Sequence, residues 1–115
     1  MSRIYIAAPY EMRDEAISIM HWLESQGHEV ISSWLRDGAF ANDDPTARLD
    51  LADIDRADML LALNPSEWRR SGTGGRHFEM GYAAAKGKQI VLVGVRTNVF
   101  HHLDCVRVIE RVEEL

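Results

Sequence analysis

Residues 59–63, MLLAL, form an almost continuous apolar run, and this run decides the fold class. A short run without polar alternation is typical of a central parallel strand that is covered on both faces. Asn64 and Pro65 end the run, and a helix-like pattern precedes it over residues 45–57. These features predict a parallel sheet that has helices on both of its faces.

Strand-like and helix-like segments alternate on either side of this run. Further strands are predicted at residues 3–8, 28–33 and 89–95, and helices at residues 11–26, 45–57 and 76–85. Asp44 is predicted to cap the second helix, with Pro45 at its first position. A helical turn near 98–103 and a fifth strand or helix from 105 complete the chain. This order predicts one α/β domain over residues 1–115, a small flavodoxin-like or Rossmann-like doubly wound parallel sheet of about five strands.

The composition of the chain restricts its class of partner. The 115 residues are 46% hydrophobic and 27% charged, with a formal net charge of -5. A mildly acidic chain offers no broad positive surface, so we expect no nucleic acid polymer as a partner. Residues 1–15 lack the apolar core of a signal peptide, and no apolar stretch reaches the length of a membrane span. We therefore expect a cytoplasmic protein with no membrane partner.

The sequence carries no recognisable metal or cofactor motif. Cys105 is the only cysteine, which excludes a disulfide within the chain and a cysteine-based zinc cage. We expect Cys105 in the core. His101 and His102 are adjacent and have no metal-binding spacing. Residues 71–75, SGTGG, match neither the phosphate-binding P-loop nor the dinucleotide fingerprint. No cofactor and no metal are expected.

Three segments are predicted to lie beyond the carboxyl ends of the strands, where doubly wound sheets bind their ligands. They are Ala8 with Pro9 after the first strand, residues 64–76 after the third and residues 96–102 after the fourth. The glycine-rich loop of the second segment precedes a helix whose free N–H groups suit an anion. The same loop also fits a plain surface turn.

Glu79 is the first candidate for chemistry, because it lies in the predicted first turn of that helix. The positive end of the helix dipole favours an ionised carboxylate, which in a cleft can act as a nucleophile or a general base. A helix-stabilising surface glutamate is the alternative. On the preceding helix, Asp50 and Asp53 are three positions apart and share a face. They are either solvated acids or partners of Glu79 in acid–base work.

Three stretches together resemble the nucleoside 2-deoxyribosyltransferase family. They are IYIAAPY at 4–10, RLDLADIDRADMLLAL at 48–63 and GTGGRHFEMGYAAAKGKQIVLV at 72–93. The resemblance implies that Glu79 attacks the anomeric carbon of a 2-deoxyribosyl group, so that the base leaves and a covalent sugar–enzyme intermediate forms. It implies that Tyr5 holds and tunes this carboxylate, and that Asp50 contacts the base and helps to protonate it as it leaves. Another nucleobase, or water, then resolves the intermediate.

The resemblance also implies a homo-oligomer whose active sites are shared between subunits. Asn98 would then reach the 5′ end of the sugar in a partner's site. The small-molecule partners would be a nucleoside or nucleotide and a free nucleobase. The first expectation is therefore transfer of 2-deoxyribose between bases.

The sequence departs from the family pattern at Thr73, where transferases often carry an acid six residues before the nucleophile. The related nucleoside 5′-monophosphate N-glycosidases use hydroxyl residues in this loop to hold the 5′-phosphate. Ser71, Thr73, Gly74, Gly75 and Arg76 would suit that phosphate through hydroxyls, free N–H groups and a guanidinium. A nucleotide hydrolase is therefore the alternative expectation, and a nucleotide-binding module without turnover is a third.

Overall fold

The computed structural model describes residues 1–36, 41–65 and 74–115. These residues form five strands: Arg3–Ala7 (β1), Glu29–Val30 (β2), Met59–Asn64 (β3), Gln89–Gly94 (β4) and Val106–Ile109 (β5). All neighbouring strands are parallel, and their order in the sheet is β2-β1-β3-β4-β5. This order is that of the flavodoxin-like sheets, so the predicted fold class is confirmed.

Helices cover both faces of this sheet. Those of the described residues are Arg13–Ser25 (α1), Ser33–Arg36 (α2), Asp44–Arg56 (α3) and Gly75–Ala85 (α4), with 3-10 turns at Tyr10–Met12, Val99–His102 and Val112–Glu114. Successive side chains of a strand point to opposite faces. Ile4 and Ile6 of β1 therefore belong to the core that includes α1. Tyr5 and Ala7 belong to the core that includes α3 and α4.

Strand β2 is shorter than the predicted strand at 28–33. Its ladder with β1 ends at Val30, because the chain turns into α2 at Ser33. Side chains replace the missing strand beside Ile6. The Ile6 N–H donates to Ser32 Oγ at 2.9 Å, and Trp34 Nε1 donates to the Ile6 carbonyl oxygen at 2.9 Å. Both backbone groups of Ile6 are thus satisfied without a neighbouring strand.

The start of α3 lies one residue earlier than predicted. Asp43, not Asp44, is the capping residue, and its carboxylate accepts a hydrogen bond from Thr46 N at 2.9 Å. Asp43 has the extended backbone that a cap requires, while Asp44 is already helical. The expected core position of Cys105 is also wrong, because this cysteine is exposed.

The ends of β3 and β4 approach each other closely at Asn64 and Gly94. Gly94 has φ +129°, and a Cβ atom there would lie 1.8 Å from the Asn64 carbonyl oxygen. Only glycine allows this contact. No helix of the described residues has the length and apolar character needed to cross a membrane.

Candidate active site

The closest contact between predicted site residues joins Tyr5 and Glu79. The Tyr5 hydroxyl donates a hydrogen bond to Glu79 Oε2 at 2.6 Å, across 74 positions of sequence. Tyr5 points to the face of β1 that α4 covers, and only 1% of its surface is exposed. The fold therefore holds the Tyr5 hydroxyl against the Glu79 carboxyl group. Their distance is as short as that of charge-assisted hydrogen bonds.

Glu79 is partly buried, and its protonation differs from the sequence-based expectation. Helix α4 begins at Gly75, so Glu79 lies in the second turn, away from the strongest part of the helix dipole. Loss of hydration raises the pKa of Glu79 to about 7, against the lowering effect of the Tyr5 hydrogen bond, and the charge of Asp50 adds to the rise. The predicted preference for the ionised form is thus wrong, because burial outweighs the helix end.

Asp50 approaches this pair from α3. Its side chain is half-buried, and loss of hydration followed by the charge of Asp53 raises the pKa of Asp50 to about 6. Burial and the charges of Glu79 and Asp50 also raise the pKa of the Tyr5 hydroxyl well above its usual value. The three residues Tyr5, Asp50 and Glu79 therefore interact electrostatically, and near neutral pH the two carboxyl groups compete for protons.

Parts of two predicted strand-end segments lie next in sequence to the elements that carry Tyr5 and Glu79. Ala8 and Pro9 follow β1 directly, where Pro9 is buried and its carbonyl oxygen accepts from Met12 N at 2.9 Å. Gly74, with φ +98°, precedes α4, and Gly75 is the first residue of that helix. Ser71 and Thr73 lie outside the described residues.

Arg76 lies at the start of α4 and faces the carboxyl end of β3. Its Nη2 donates to Asn64 Oδ1 at 3.0 Å. Its Nε is buried and has no hydrogen-bond partner among the described residues. A buried N–H group without a hydrogen-bond partner is costly. The Nε–H group of Arg76 is therefore available to donate a hydrogen bond to a group that the described residues do not supply.

Asn98 is separated from this cluster by α4. It lines a cavity of about 500 Å³ on the β5 side of the helix, together with His77, Phe78, Gly81 and His101. Its Oδ1 accepts from Phe100 N at 2.9 Å and so caps the turn Val99–His102. Glu79 instead turns towards β1. Within one chain, the structure therefore does not bring Asn98 and Glu79 together.

Asn64 and His101 are buried polar residues near the strand ends that were not predicted as site residues. Asn64 is 2% exposed and donates to the Val95 carbonyl oxygen at 2.5 Å and to Thr97 Oγ1 at 3.2 Å. A polar residue at the last position of an apolar strand is the signal that indicates it. His101 is 1% exposed, and its ring stacks on His77 with centroids 5.8 Å apart. Nothing in the sequence distinguishes it from His102.

The described residues contain no group of three or more His, Cys, Asp or Glu side chains that could hold a metal ion. Tyr5, Asp50 and Glu79 offer carboxyl and phenol groups alone. These groups are suited to two chemical steps: nucleophilic attack by one carboxylate and proton transfer by the neighbouring carboxyl group.

Comparison with known proteins gives a family and a set of similar folds. The sequence model of the family described as nucleoside 2-deoxyribosyltransferase matches residues 4–107. Among curated protein sequences, none matches this chain. The CMP N-glycosidase BcmB of Clostridium botulinum is 26% identical, with a TM-score of 0.69 over 93% of this chain and 87% of that one.

Two solved transferases share the fold at lower identity. The 2-deoxyribosyltransferase of Bacillus psychrosaccharolyticus is 20% identical, with a TM-score of 0.67 over 97% of this chain and 88% of that one. The 2-deoxyribosyltransferase of Leishmania mexicana is 19% identical, with a TM-score of 0.66 over 88% of this chain and 69% of that one.

Proposed function

Since the chain belongs to the nucleoside 2-deoxyribosyltransferase family, we propose that it cleaves the N-glycosidic bond of 2′-deoxynucleosides and transfers the sugar to another nucleobase. The family and the similar structures support deoxyribosyltransferase or N-glycosidase activity in general. The observation that carries the proposal is the 2.6 Å hydrogen bond from Tyr5 to Glu79. It presents a partly buried carboxylate that is held in a fixed orientation.

In the first step, an oxygen of Glu79 attacks the anomeric carbon of the sugar. The bond from this carbon to the base nitrogen breaks, its electron pair leaves with the base, and a covalent glutamyl–sugar ester forms. Tyr5 occupies Glu79 Oε2, so Oε1 is the oxygen available for attack. Tyr5 also stabilises the ionised form of Glu79, which is the form that reacts.

Asp50 supplies a proton to the departing base. An anionic purine or pyrimidine is a poor leaving group, so protonation of the base lowers the barrier. A carboxyl group whose pKa is about 6 carries a proton over a useful range of pH. In the second step, a nitrogen of the incoming base attacks the same carbon, its proton returns to Asp50, and Glu79 is released.

A chromatographic assay tests this proposal directly. The protein is incubated with deoxyadenosine or deoxyinosine, with and without a free acceptor base. We expect a new deoxynucleoside that appears only with the acceptor, and a Glu79→Gln variant that forms none. Mass spectrometry of wild-type protein with substrate alone should detect an added deoxyribosyl group on the peptide that contains Glu79. Turnover by Glu79→Gln would remove Glu79 from the role of nucleophile.

A specific observation favours a second candidate, a nucleoside 5′-monophosphate N-glycosidase. Arg76 has a buried N–H group without a described partner, next to the start of α4. A phosphate at this helix start would accept hydrogen bonds from the guanidinium and from backbone N–H groups. The 26% identity to a CMP N-glycosidase points in the same direction. In this case water, and not a base, releases the sugar from Glu79.

Monophosphates added to the same assay distinguish the two candidates. Free base released from a 5′-monophosphate, with or without acceptor, would support the hydrolase. Arg76→Met should then raise KM for the nucleotide at least tenfold and leave KM for the nucleoside almost unchanged. Ser71→Ala with Thr73→Ala tests the proposed hydroxyl contacts in the same way. If every substrate binds and none is cleaved, the protein is a nucleotide-binding module.

We further propose that the active protein is a homo-oligomer with shared sites. The cavity beside α4 is bordered by Phe78 and Phe100, which are 68% and 69% exposed. Asn98 lies in this cavity, away from the Glu79 of its own chain. Mixing Glu79→Gln and Asn98→Ala subunits should therefore restore activity, because a mixed oligomer contains one site with both native residues. Two inactive variants that stay inactive when mixed would exclude a shared site.

A further inference from the structure

Asp53 is the only fully buried carboxylate in the described part of the chain, with 0% of its surface exposed. Its Oδ2 accepts from Ser33 N at 2.9 Å, and its Oδ1 accepts from Arg56 Nη2 at 2.8 Å. The Arg56 side chain is 62% exposed, so its charge is largely hydrated. Burying a carboxylate is costly, and a neutral side chain of similar shape would avoid that cost.

The hydrogen bonds of Asp53 connect α3 to the strand that carries Tyr5. Ser33 begins α2, and the preceding Ser32 accepts the N–H of Ile6 in β1 at 2.9 Å. Two hydrogen bonds thus connect β1 to Asp53: one from Ile6, which follows Tyr5, to Ser32, and one from Ser33 to Asp53. They fix α3, and with it Asp50, relative to the strand that holds Glu79 through Tyr5.

The charge of Asp53 acts on Asp50 from one helical turn away. Residues three positions apart on a helix face the same side, and here the side is the one that packs on the sheet. Among the described residues of neighbouring elements, the charge of Asp50 acts on two titratable groups, Tyr5 from β1 and Glu79 from α4. After loss of hydration, Asp53 is the group whose charge raises the pKa of Asp50.

We propose that Asp53 is a positioning residue for the reaction: its hydrogen bond to Ser33 fixes α3 against the β2–α2 junction, and its buried carboxylate lies one helical turn from Asp50 on the same face of α3. This inference rests on the proposed function, in which Asp50 protonates the leaving base. An asparagine at position 53 would have the same shape as Asp53 and would lack its negative charge, so it could not act on Asp50 in this way.

Two substitutions change the charge in opposite directions and keep the packing. Asp53→Asn retains an oxygen for Ser33 N and removes the negative charge, so the pKa of Asp50 should fall. Arg56→Gln removes the positive charge that offsets Asp53, so the pKa of Asp50 should rise. Asp55→Asn is the matched control, because Asp55 lies on another face of α3 and contacts Tyr82 of α4.

The first readout is the titration of the Asp50 carboxyl carbon by NMR, which needs no turnover. The wild-type midpoint is expected near 6. Asp53→Asn should lower it by about one unit, Arg56→Gln should raise it, and Asp55→Asn should leave it in place. If Asp53→Asn does not fold, Arg56→Gln alone decides the matter. An Asp50 midpoint that both charge changes leave unmoved would overturn the proposal.

The second readout is the pH dependence of kcat in the glycosidic assay. Asp53→Asn should move the high-pH limb to lower pH, because Asp50 then loses its proton earlier, and should reduce the maximum rate, most strongly for poorly leaving bases. A merely structural Asp53 would reduce the rate with both limbs in place, and that result would also overturn the proposal. If wild-type protein cleaves no N-glycosidic bond while the Asp50 midpoint shifts as expected, the proposed function fails and the control of Asp50 by Asp53 stands.

Discussion

The Tyr82 hydroxyl donates a hydrogen bond to Asp55 Oδ1 at 2.9 Å, and this contact joins the two helices that carry the proposed catalytic carboxyl groups. Tyr82 belongs to α4, as Glu79 does, and Asp55 belongs to α3, as Asp50 does. Lys86 Nζ lies 3.6 Å from the same carboxylate oxygen and 5.3 Å from the centre of the Tyr82 ring. The spacing of α3 and α4 is therefore held from outside the site.

Removal of this contact should loosen the two helices without changing the chemistry. Tyr82→Phe is expected to lower the free energy of unfolding by about 1 kcal/mol, because an exposed hydrogen bond contributes about that much. Thermal unfolding of Tyr82→Phe, Asp55→Ala and the double variant measures the coupling between them. Effects that simply add would show that the two side chains do not stabilise each other.

Tyr5→Phe should change the pH dependence of the reaction. Loss of the hydroxyl removes the interaction that lowers the pKa of Glu79, so this pKa should rise above about 7. We expect the low-pH limb of kcat/KM to move up by about one unit, with the rate near pH 6 about tenfold lower and partly restored at high pH. Tyr82→Phe is the matched control and should leave the limbs unchanged. An unshifted limb in Tyr5→Phe would contradict the role of Tyr5.

Glu79→Gln should abolish turnover and stabilise the fold at alkaline pH. Burial raises the pKa of Glu79 from its usual 4.5 to about 7, so the native state holds a proton that the unfolded state loses earlier. That stabilisation is fully present below the unfolded pKa and is lost as the pH rises through about 7. The side-chain amide of the Glu79→Gln variant does not titrate, so the variant does not lose this stability as the pH rises.

Thermal unfolding of wild type and Glu79→Gln at two pH values tests this linkage. The variant should gain roughly 2 kcal/mol relative to wild type between about pH 5 and about pH 8.5. Glu113→Gln, at an exposed position, should show no comparable difference between the two pH values. An equal stability difference at both pH values would mean that the folded protein does not raise the pKa of Glu79.

Gly94→Ala should be strongly destabilising. The new Cβ would lie 1.8 Å from the Asn64 carbonyl oxygen at φ +129°, so β3 and β4 would have to separate. We expect a loss of about 3 kcal/mol or more in the free energy of unfolding. Gly27 has φ +94°, and no atom lies within 4 Å of a Cβ added there. Gly27→Ala therefore measures only the free-energy cost of the left-handed backbone, about 1 kcal/mol. Equal losses would show that the contact with Asn64 is unimportant.

The sheet was predictable because each of its segments has a clear hydrophobic period. The run MLLAL became the central strand β3, and the helices around it begin within two residues of their predicted starts. Residues 34–36, by contrast, belong to no predicted strand or helix, and the structure includes them in α2. Their helix depends on Ser33 N meeting Asp53, a contact between residues 20 positions apart that no local pattern contains.

The candidate site was predictable in its residues and not in its electrostatics. Tyr5, Asp50 and Glu79 came from a family resemblance, and the structure brings Tyr5 and Glu79 into contact. Burial of Glu79 depends on how α4 packs on the sheet, so the direction of its pKa shift could not be obtained from the helix position alone. Asn98 lies across α4 from Glu79, and its proposed role depends on a second subunit.

The early end of β2 also bears on how this protein avoids aggregation. Where β2 stops, β1 would present an open edge, and open edges invite β-strands of other molecules to pair with them. The Ser32 and Trp34 side chains occupy both backbone groups of Ile6 at that point, each at 2.9 Å. An intruding strand would have to displace them before it formed a single new bond. The edge of β1 beyond the end of β2 is therefore protected against pairing with a strand of another molecule.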